Sequence, residues 1–231
     1  MSTLSKPNVL GTGPNPNRRT IILVRHGETH GNVEDKAQGH FDAPLTEKGV
    51  RQAEALSQRL ANTGFNAVYS SDIQRAARTA EAVLNDRSDI EIQLRPELRE
   101  LHFGAYENIP WSVLRDEDPT FFKRWIEWET RASAKYPGGE SATDLWHRVG
   151  DFANEILANH LEKTTILVVA HGGSLQSLLA QLLALRITDQ WRFQFDNTSI
   201  SIIKEHAVAP RVWQTKLFND THHLNGLNSN E

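Results

Sequence analysis

No cysteine occurs in this chain, which rules out disulfides, thiolate metal sites and a cysteine nucleophile while leaving the redox compartment open. Long apolar runs are missing too. The segment Leu175 to Leu185 is broken by Gln176 and Gln181 and falls short of the roughly 20 apolar residues a membrane-spanning helix needs. A soluble protein with no membrane partner is therefore expected, with the cytoplasm as its default location. A surplus of positive charge is also absent. The formal net charge of −4 over 231 residues argues against a nucleic-acid partner held by a general basic surface, so any anion site has to be built from particular residues. The N-terminus lacks the apolar core of a secretory signal and is rich in Pro, Gly and Asn, which predicts a disordered leader over 1–19.

What is present is an alternation of strand and helix. Thr20 to Val24 is a β-branched, apolar run ending at Arg25-His26-Gly27, which reads as a buried strand followed by a turn. Val50, Ala53, Leu56 and Leu60 recur at helical spacing, and Gly64 supplies a stop. Ala67 to Ser70 predicts a second strand. Ser71 and Gln74 have the form of a capping box that opens a helix through Leu84, placing Arg75 in its first turn. Ile90 to Leu94 is a third strand, and from Ser141 a helix carries Leu145, Val149, Phe152 and Ile156 on one face. Thr165 to Ala170 then repeats the opening, a strand ending in His171-Gly172-Gly173 before a helix to Leu185. Ser199 to Lys204 and Arg211 to Phe218 read as terminal strands.

This order implies an α/β fold, a three-layer α/β/α sandwich with a mainly parallel sheet, in one domain over 20–224 with a polar tail over 225–231. An aromatic-rich insertion near 103–140 carries Tyr106, Trp111, Phe121, Phe122, Trp125 and Trp128. Most of these aromatics are expected to fill a satellite core, and exposed rings around Trp125 and Trp128 would form a homodimer patch. Ligands of such sheets bind beyond the carboxyl ends of the strands, where adjacent strands would bring His26 and His171 together.

Phosphate chemistry is the natural reading of that place. A neutral imidazole can attack phosphorus through one nitrogen while the other donates to a fixed acceptor, which makes His26 the candidate nucleophile. Arg25 offers a planar fork for two phosphate oxygens, and Arg75 adds its charge at a helix N-terminus. Arg78, three residues on, is expected to face solvent. His171 can stabilise charge on the equatorial oxygens. Expulsion of an alcohol needs a proton donor that can afterwards deprotonate water; Glu100 is the candidate, with Glu97 an alternative that spacing alone does not exclude. His222-His223 reads as a solvated or edge contact, and no metal or other cofactor is called for, since Arg and His cations can offset phosphate charge.

With Leu23-Val24-Arg25-His26-Gly27-Glu28-Thr29, Gln38-Gly39 with Asp42 and Pro44-Leu45-Thr46, the Ser70 to Ala80 run, Leu98 to Gly104, Pro137-Gly138-Gly139-Glu140-Ser141 and Val168 to Gly173 in this order, the chain resembles the histidine phosphatase superfamily, in the branch related to phosphoglycerate mutases. The resemblance implies a phosphorylated His26, with Glu100 rather than Glu97 as acid and base and His171 as the third catalytic residue. It further implies phosphate binding by Arg25, Asn32, Arg75, His171 and Gly172. Gly31, where many relatives have an aromatic residue, and Glu107-Asn108, where Glu-Gly is common, depart from it without touching the expected phosphate clamp. The shorter aromatic stretch between Glu100 and His171, in place of the mutases' basic segment, favours hydrolysis of a small phosphorylated metabolite. Mutase-type transfer is the alternative, and an inactive phospho-ligand-binding module the lesser one.

Overall fold

The central strands of this chain carry continuous apolar runs, Ile21 to Val24 and Ile166 to Ala170, because both of their faces are covered. The computed structural model describes residues 18–227 apart from 86, 88, 128, 129, 161–163, 208 and 210. In chain order its elements are β1 (Thr20–Arg25), α1 (His30–Val33), β2 (Lys36–Ala37), α2 (Glu47–Leu60), β3 (Ala67–Ser70), α3 (Gln74–Val83), β4 (Ile92–Leu94) and β5 (Ile109–Pro110). There follow α4 (Trp111–Glu117), α5 (Pro119–Ile126), α6 (Ala142–Asn159), β6 (Thr165–Ala170), α7 (Gly172–Leu182), β7 (Ile200–Glu205) and β8 (Trp213–Asp220). One sheet has the order β4-β3-β6-β1-β7-β8. Its first four strands are mutually parallel, and β7 and β8 form an antiparallel edge.

Alternate side chains of the central strands serve opposite layers. Ile21 and Leu23 of β1, with Ile166 and Val168 of β6, pack under α6 and α7. Ile22 and Val24, with Leu167 and Val169, pack under α2 and α3. Each such fully buried side chain contributes about 1.5–3 kcal/mol. The anticipated face of α6 is the observed one: Leu145, Val149, Phe152 and Ile156 are all buried, and Ser141 caps the helix in a reciprocal box with Asp144. No helix among the described residues is long and apolar enough to cross a membrane.

Three expectations need correction. The N-cap of α3 is Ile73, not Ser71, so the Ser71-Gln74 capping box does not form. Asp42 takes its place from a distant loop, accepting from the amides of Gln74 at 3.0 Å and Arg75 at 3.4 Å. The ordered chain also begins before Thr20. Residues 1–17 of the expected leader lie outside the described residues, but Arg19 is only 5% exposed and pairs with Glu205 through two nitrogens, at 3.0 and 2.8 Å. Finally, Trp125 turns inward. Phe103, Tyr106, Phe122 and Trp125 pack on Phe121 and Tyr136 in the satellite core, so Trp125 supplies no exposed patch, while Trp128 is outside the described residues.

Candidate active site

β1 and β6 pair with Arg25 opposite Ala170, so the residue that follows each strand leaves the sheet edge beside the other. His26 donates its backbone amide to Ala170 O at 3.0 Å, and the rings of His26 and His171 lie 5.2 Å apart. The turn after His26 needs glycine: a Cβ at Gly27 would sit 2.7 Å from Gly49 O in the first turn of α2. His26 Nδ1 is 2.7 Å from Gly27 O, and a carbonyl only accepts, so the proton is assigned to Nδ1 and the lone pair to Nε2. Burial, then the charges of Arg75 and Arg25, push the imidazole well below its usual pKa of 6.5 and keep it neutral.

Around this imidazole stand buried donors. Arg75, 2% exposed, is aimed by two carbonyls of the loop that precedes Asp42: Nη2 donates to Gly39 O at 2.7 Å and Nη1 to Phe41 O at 2.9 Å. Burial lowers its pKa to about 10, which leaves it a cation at neutral pH. Because Asp42 already caps α3, the guanidinium acts here without the free helix N-terminus expected from the sequence. Arg25 donates from Nη1 to Phe195 O at 2.6 Å. His171 is completely buried, with Nε2 2.8 Å from Ser71 Oγ, and Ser71 Oγ in turn accepts from the Ile73 amide at 3.3 Å. The Ser71 hydroxyl can donate to or accept from this nitrogen, so it fixes the ring's orientation. Arg25 Nε, Arg75 Nε and His171 Nδ1 are all buried with no hydrogen-bond partner. Buried polar atoms are normally paired, and two unpaired guanidinium N–H donors with an unpaired imidazole nitrogen beside the neutral His26 are what a tetrahedral oxyanion can satisfy.

Glu100 completes the group. Its Oε1 accepts from the Leu101 amide at 2.8 Å and its Oε2 from the Gly173 amide at 3.0 Å, in the first turn of α7. Its charge acts on both Arg25 and Arg75. Glu97 is bound instead to Arg95 at 3.2 Å. Gly172 opens α7, its Cβ position 3.7 Å from Glu100 Oε2. Asn32 spends its Oδ1 on the Thr29 amide at 3.1 Å and on Asn197 Nδ2 at 3.3 Å, and the same Asn197 nitrogen donates to His26 O at 2.9 Å. Arg78 pairs with Glu81 on the exposed side of α3, as anticipated.

Several supporting residues were not found from the sequence. Ser71 was read as a cap, although it orients His171. Arg148, on α6, clasps the turn before Glu100 by donating to the carbonyls of Glu97 and Arg99, both at 2.9 Å, and of Glu100 at 3.3 Å. The departure at Glu107-Asn108 also bears on the clamp. Glu107 Oε1 accepts from the His40 amide at 2.7 Å and so holds the loop whose Gly39 carbonyl aims Arg75. Asn108 has φ +62, a left-handed conformation that Asn tolerates and Gly prefers. At Gly31 a Cβ would sit 2.6 Å from the Gln38 side chain, which fills that space. Among the described residues no group of three or more His, Asp and Glu side chains is placed to hold a metal ion, and His222 Nδ1 lies 3.0 Å from Asn225 Nδ2.

Known proteins resemble this chain in sequence and in fold. A family model described as the histidine phosphatase superfamily (branch 1) matches residues 21–221. A protein named probable phosphoglycerate mutase GpmB, from Yersinia pestis (strain Pestoides F), is 34% identical over 206 residues, spanning 88% of this chain and 94% of that protein. The crystal structure of the alpha-ribazole phosphatase from Shigella flexneri superposes with a TM-score of 0.77 at 30% identity, over 87% of this chain and 96% of that one. The native mycobacterial glucosyl-3-phosphoglycerate phosphatase gives a TM-score of 0.77 at 26% identity, over 88% and 100%.

Proposed function

The chain belongs to branch 1 of the histidine phosphatase superfamily, and from that premise we propose that it hydrolyses small phosphomonoesters through a phosphohistidine at His26, without a metal ion. The observation that carries this reading is the pair of buried, unpartnered guanidinium donors, Arg25 Nε and Arg75 Nε, with the unpartnered Nδ1 of His171, around an imidazole whose Nδ1 proton is held by Gly27 O; a proton on His171 Nδ1 completes the clamp. The substrate's phosphate takes these donors, with the Asn32 amide and the start of α7 at Gly172 as further contacts. His26 Nε2 attacks phosphorus in line. The substrate enters as its monoanion and passes its proton to the Glu100 carboxylate; as the P–O bond to the alcohol breaks, Glu100 gives that proton to the departing oxygen, and His26 keeps its Nδ1 proton on Gly27 O. Glu100, again a carboxylate, takes a proton from water as that water attacks the phosphohistidine, which returns free His26, inorganic phosphate and, once the phosphate has taken that proton, the Glu100 carboxylate. Two arginine cations offset the charge that a metal would otherwise neutralise.

A second reading, transfer of the phosphoryl group to another hydroxyl, is favoured by the curated relative at 34% identity, which is named as a mutase. The short aromatic insertion and the phosphatases among the structural relatives favour water as acceptor. A silent binding module has no use for a nucleophile with a matched acid. Incubating the protein in chelator with a panel of phosphomonoesters separates the three. Release of phosphate that is lost in His26→Ala supports hydrolysis; isomerisation of 3-phosphoglycerate faster than its hydrolysis supports transfer; phosphate release retained by His26→Ala would remove the covalent mechanism.

A further inference from the structure

The side of the site beyond Glu100 holds a second set of polar groups that the phosphate chemistry does not use. A cavity of about 240 Å³ opens beside Glu100 and Gly173, walled by Phe103, Trp111, Trp125 and Trp191. Arg131 enters this wall between two indoles, its guanidinium carbon 4.3 Å from the Trp125 ring centre and 4.3 Å from that of Trp191. Both indoles are within cation–π distance of the guanidinium, a contact that uses its charge and leaves its N–H donors for a ligand. Arg131 Nε is buried without a hydrogen-bond partner among the described residues, and burial lowers its pKa, with Tyr136 acting in the opposite sense. Two more groups lining the cavity are unsatisfied. Gln190, 2% exposed, has neither its amide nitrogen nor its amide oxygen paired, and the hydroxyl of Tyr136, also 2% exposed, has the Trp125 side chain beside it but no acceptor for its own proton.

We propose that this cavity receives the leaving alcohol and selects phosphomonoesters whose alcohol bears a second anionic group, a carboxylate or a further phosphate, bound in plane by the edge of Arg131. This rests on the hydrolytic reading above. A planar oxyanion matches the fork of Arg131, and Gln190 and Tyr136 supply the remaining hydrogen bonds. The indoles hold the guanidinium in one orientation before the ligand arrives, so little side-chain freedom is lost on binding. The space corresponds to about eight water volumes, which suits a compact alcohol. Trp125 and Arg131 come from the insertion and Gln190 and Trp191 from the turn after α7, so the same stack that aims the cation joins the insertion to the body of the domain.

A purely structural pin is the competing account, and matched esters distinguish it. 3-Phosphoglycerate and glycerol 3-phosphate share a skeleton and differ by carboxylate against hydroxymethyl; glycerol 1,3-bisphosphate carries a phosphate at the same end. Wild-type protein is expected to prefer an ester with the second anion by at least tenfold in kcat/KM, and the preferred one identifies the anion. Arg131→Met should lower kcat/KM for that ester by about 30-fold or more while changing glycerol 3-phosphate by less than about threefold. Arg131→Lys should restore part of the loss, and Gln190→Leu should cost about 2- to 10-fold on the anionic ester alone. Equal losses on charged and uncharged esters, or no loss on either, would overturn the proposal. If Arg131→Met fails to fold, Arg131→Lys and Gln190→Leu carry the same comparison. Calorimetric binding of 3-phosphoglycerate and the bisphosphate to His26→Ala protein separates the two readings. Absence of turnover counts against hydrolysis, whereas affinity for both ligands unchanged by Arg131→Met counts against the subsite.

Discussion

Gly173 donates its amide to Glu100 Oε2 at 3.0 Å, and a Cβ at position 173 would lie 2.4 Å from Glu100 Oε1. The helix that begins beside His171 therefore also sets the position of the carboxylate. The atom in the way is the end of a flexible side chain, so Gly173→Ala should displace the carboxylate and leave the fold intact. A displacement of about 1 Å at a reacting group can cost 100-fold, so kcat should fall by roughly that factor with little change in melting temperature. Steady-state kinetics with a melting curve on the same sample check both halves.

Arg75 is both a site residue and a partner for two buried carbonyls. Arg75→Ala leaves Gly39 O and Phe41 O without their donors, at about 1–3 kcal/mol for each acceptor left unsatisfied. Loss of one donor to the transferring group should lower kcat by about 100- to 1,000-fold. Arg78→Ala is the internal control, because Arg78 is exposed and paired only with Glu81; its effect on stability should stay within about 0.5 kcal/mol. Urea denaturation of the two variants measures the difference.

Legibility from sequence tracked how local each signal was. The two strand-His-Gly passages exposed the central pair, because parallel strands in register carry whatever follows them to the same edge. The burial pattern of α6 was readable because it depends only on its own periodicity, whereas in α2 Ala53, Leu56 and Leu60 are buried as expected but Val50 is 46% exposed. Ser71 was misread because a cap motif is a local pattern, whereas the amides at the start of α3 are satisfied by Asp42, 32 residues earlier. Glu97 and Glu100 could be separated only by resemblance, since what distinguishes them is contact with Arg95 in one case and with Gly173 in the other. The stack of Trp125, Arg131 and Trp191 left no sequence signal at all, as its members are 66 residues apart at the extremes and meet through the insertion's docking on the domain.

Neutral burial of His26 and His171 has a consequence for stability. Both imidazoles are held well below 6.5 in the fold, so between those lowered values and about 6.5 the unfolded chain binds more protons than the folded one. Stability is then fully present above about pH 6.5 and declines as pH falls. His40 and His160 shift in the same direction and add to the slope. A His26→Asn, His171→Asn double variant should show a shallower decline between pH 7.5 and pH 5 in urea denaturation, and an unchanged slope would contradict the assignment of both rings as neutral.

Arg19 and Glu205 offer a test remote from the chemistry. Their ion pair is buried, with side chains 6% and 4% exposed, and Glu205 also accepts from the Arg211 amide at 2.7 Å. Arg19→Met removes one partner and strands the other, which should destabilise the protein by about 3–5 kcal/mol while kcat stays near the wild-type value under folding conditions. Comparing denaturation midpoints with kcat establishes whether the fold begins before Thr20.

The central claim concerns one nitrogen, His26 Nε2. Rapid quenching during turnover of a phosphomonoester, followed by mass spectrometry of peptides kept at alkaline pH, should find one phosphoryl group on the peptide containing His26, labile to acid and absent from His26→Ala. Full turnover in the wild-type protein with no phosphoryl group on that peptide under single-turnover conditions, or a phosphoryl group on another residue, would contradict it.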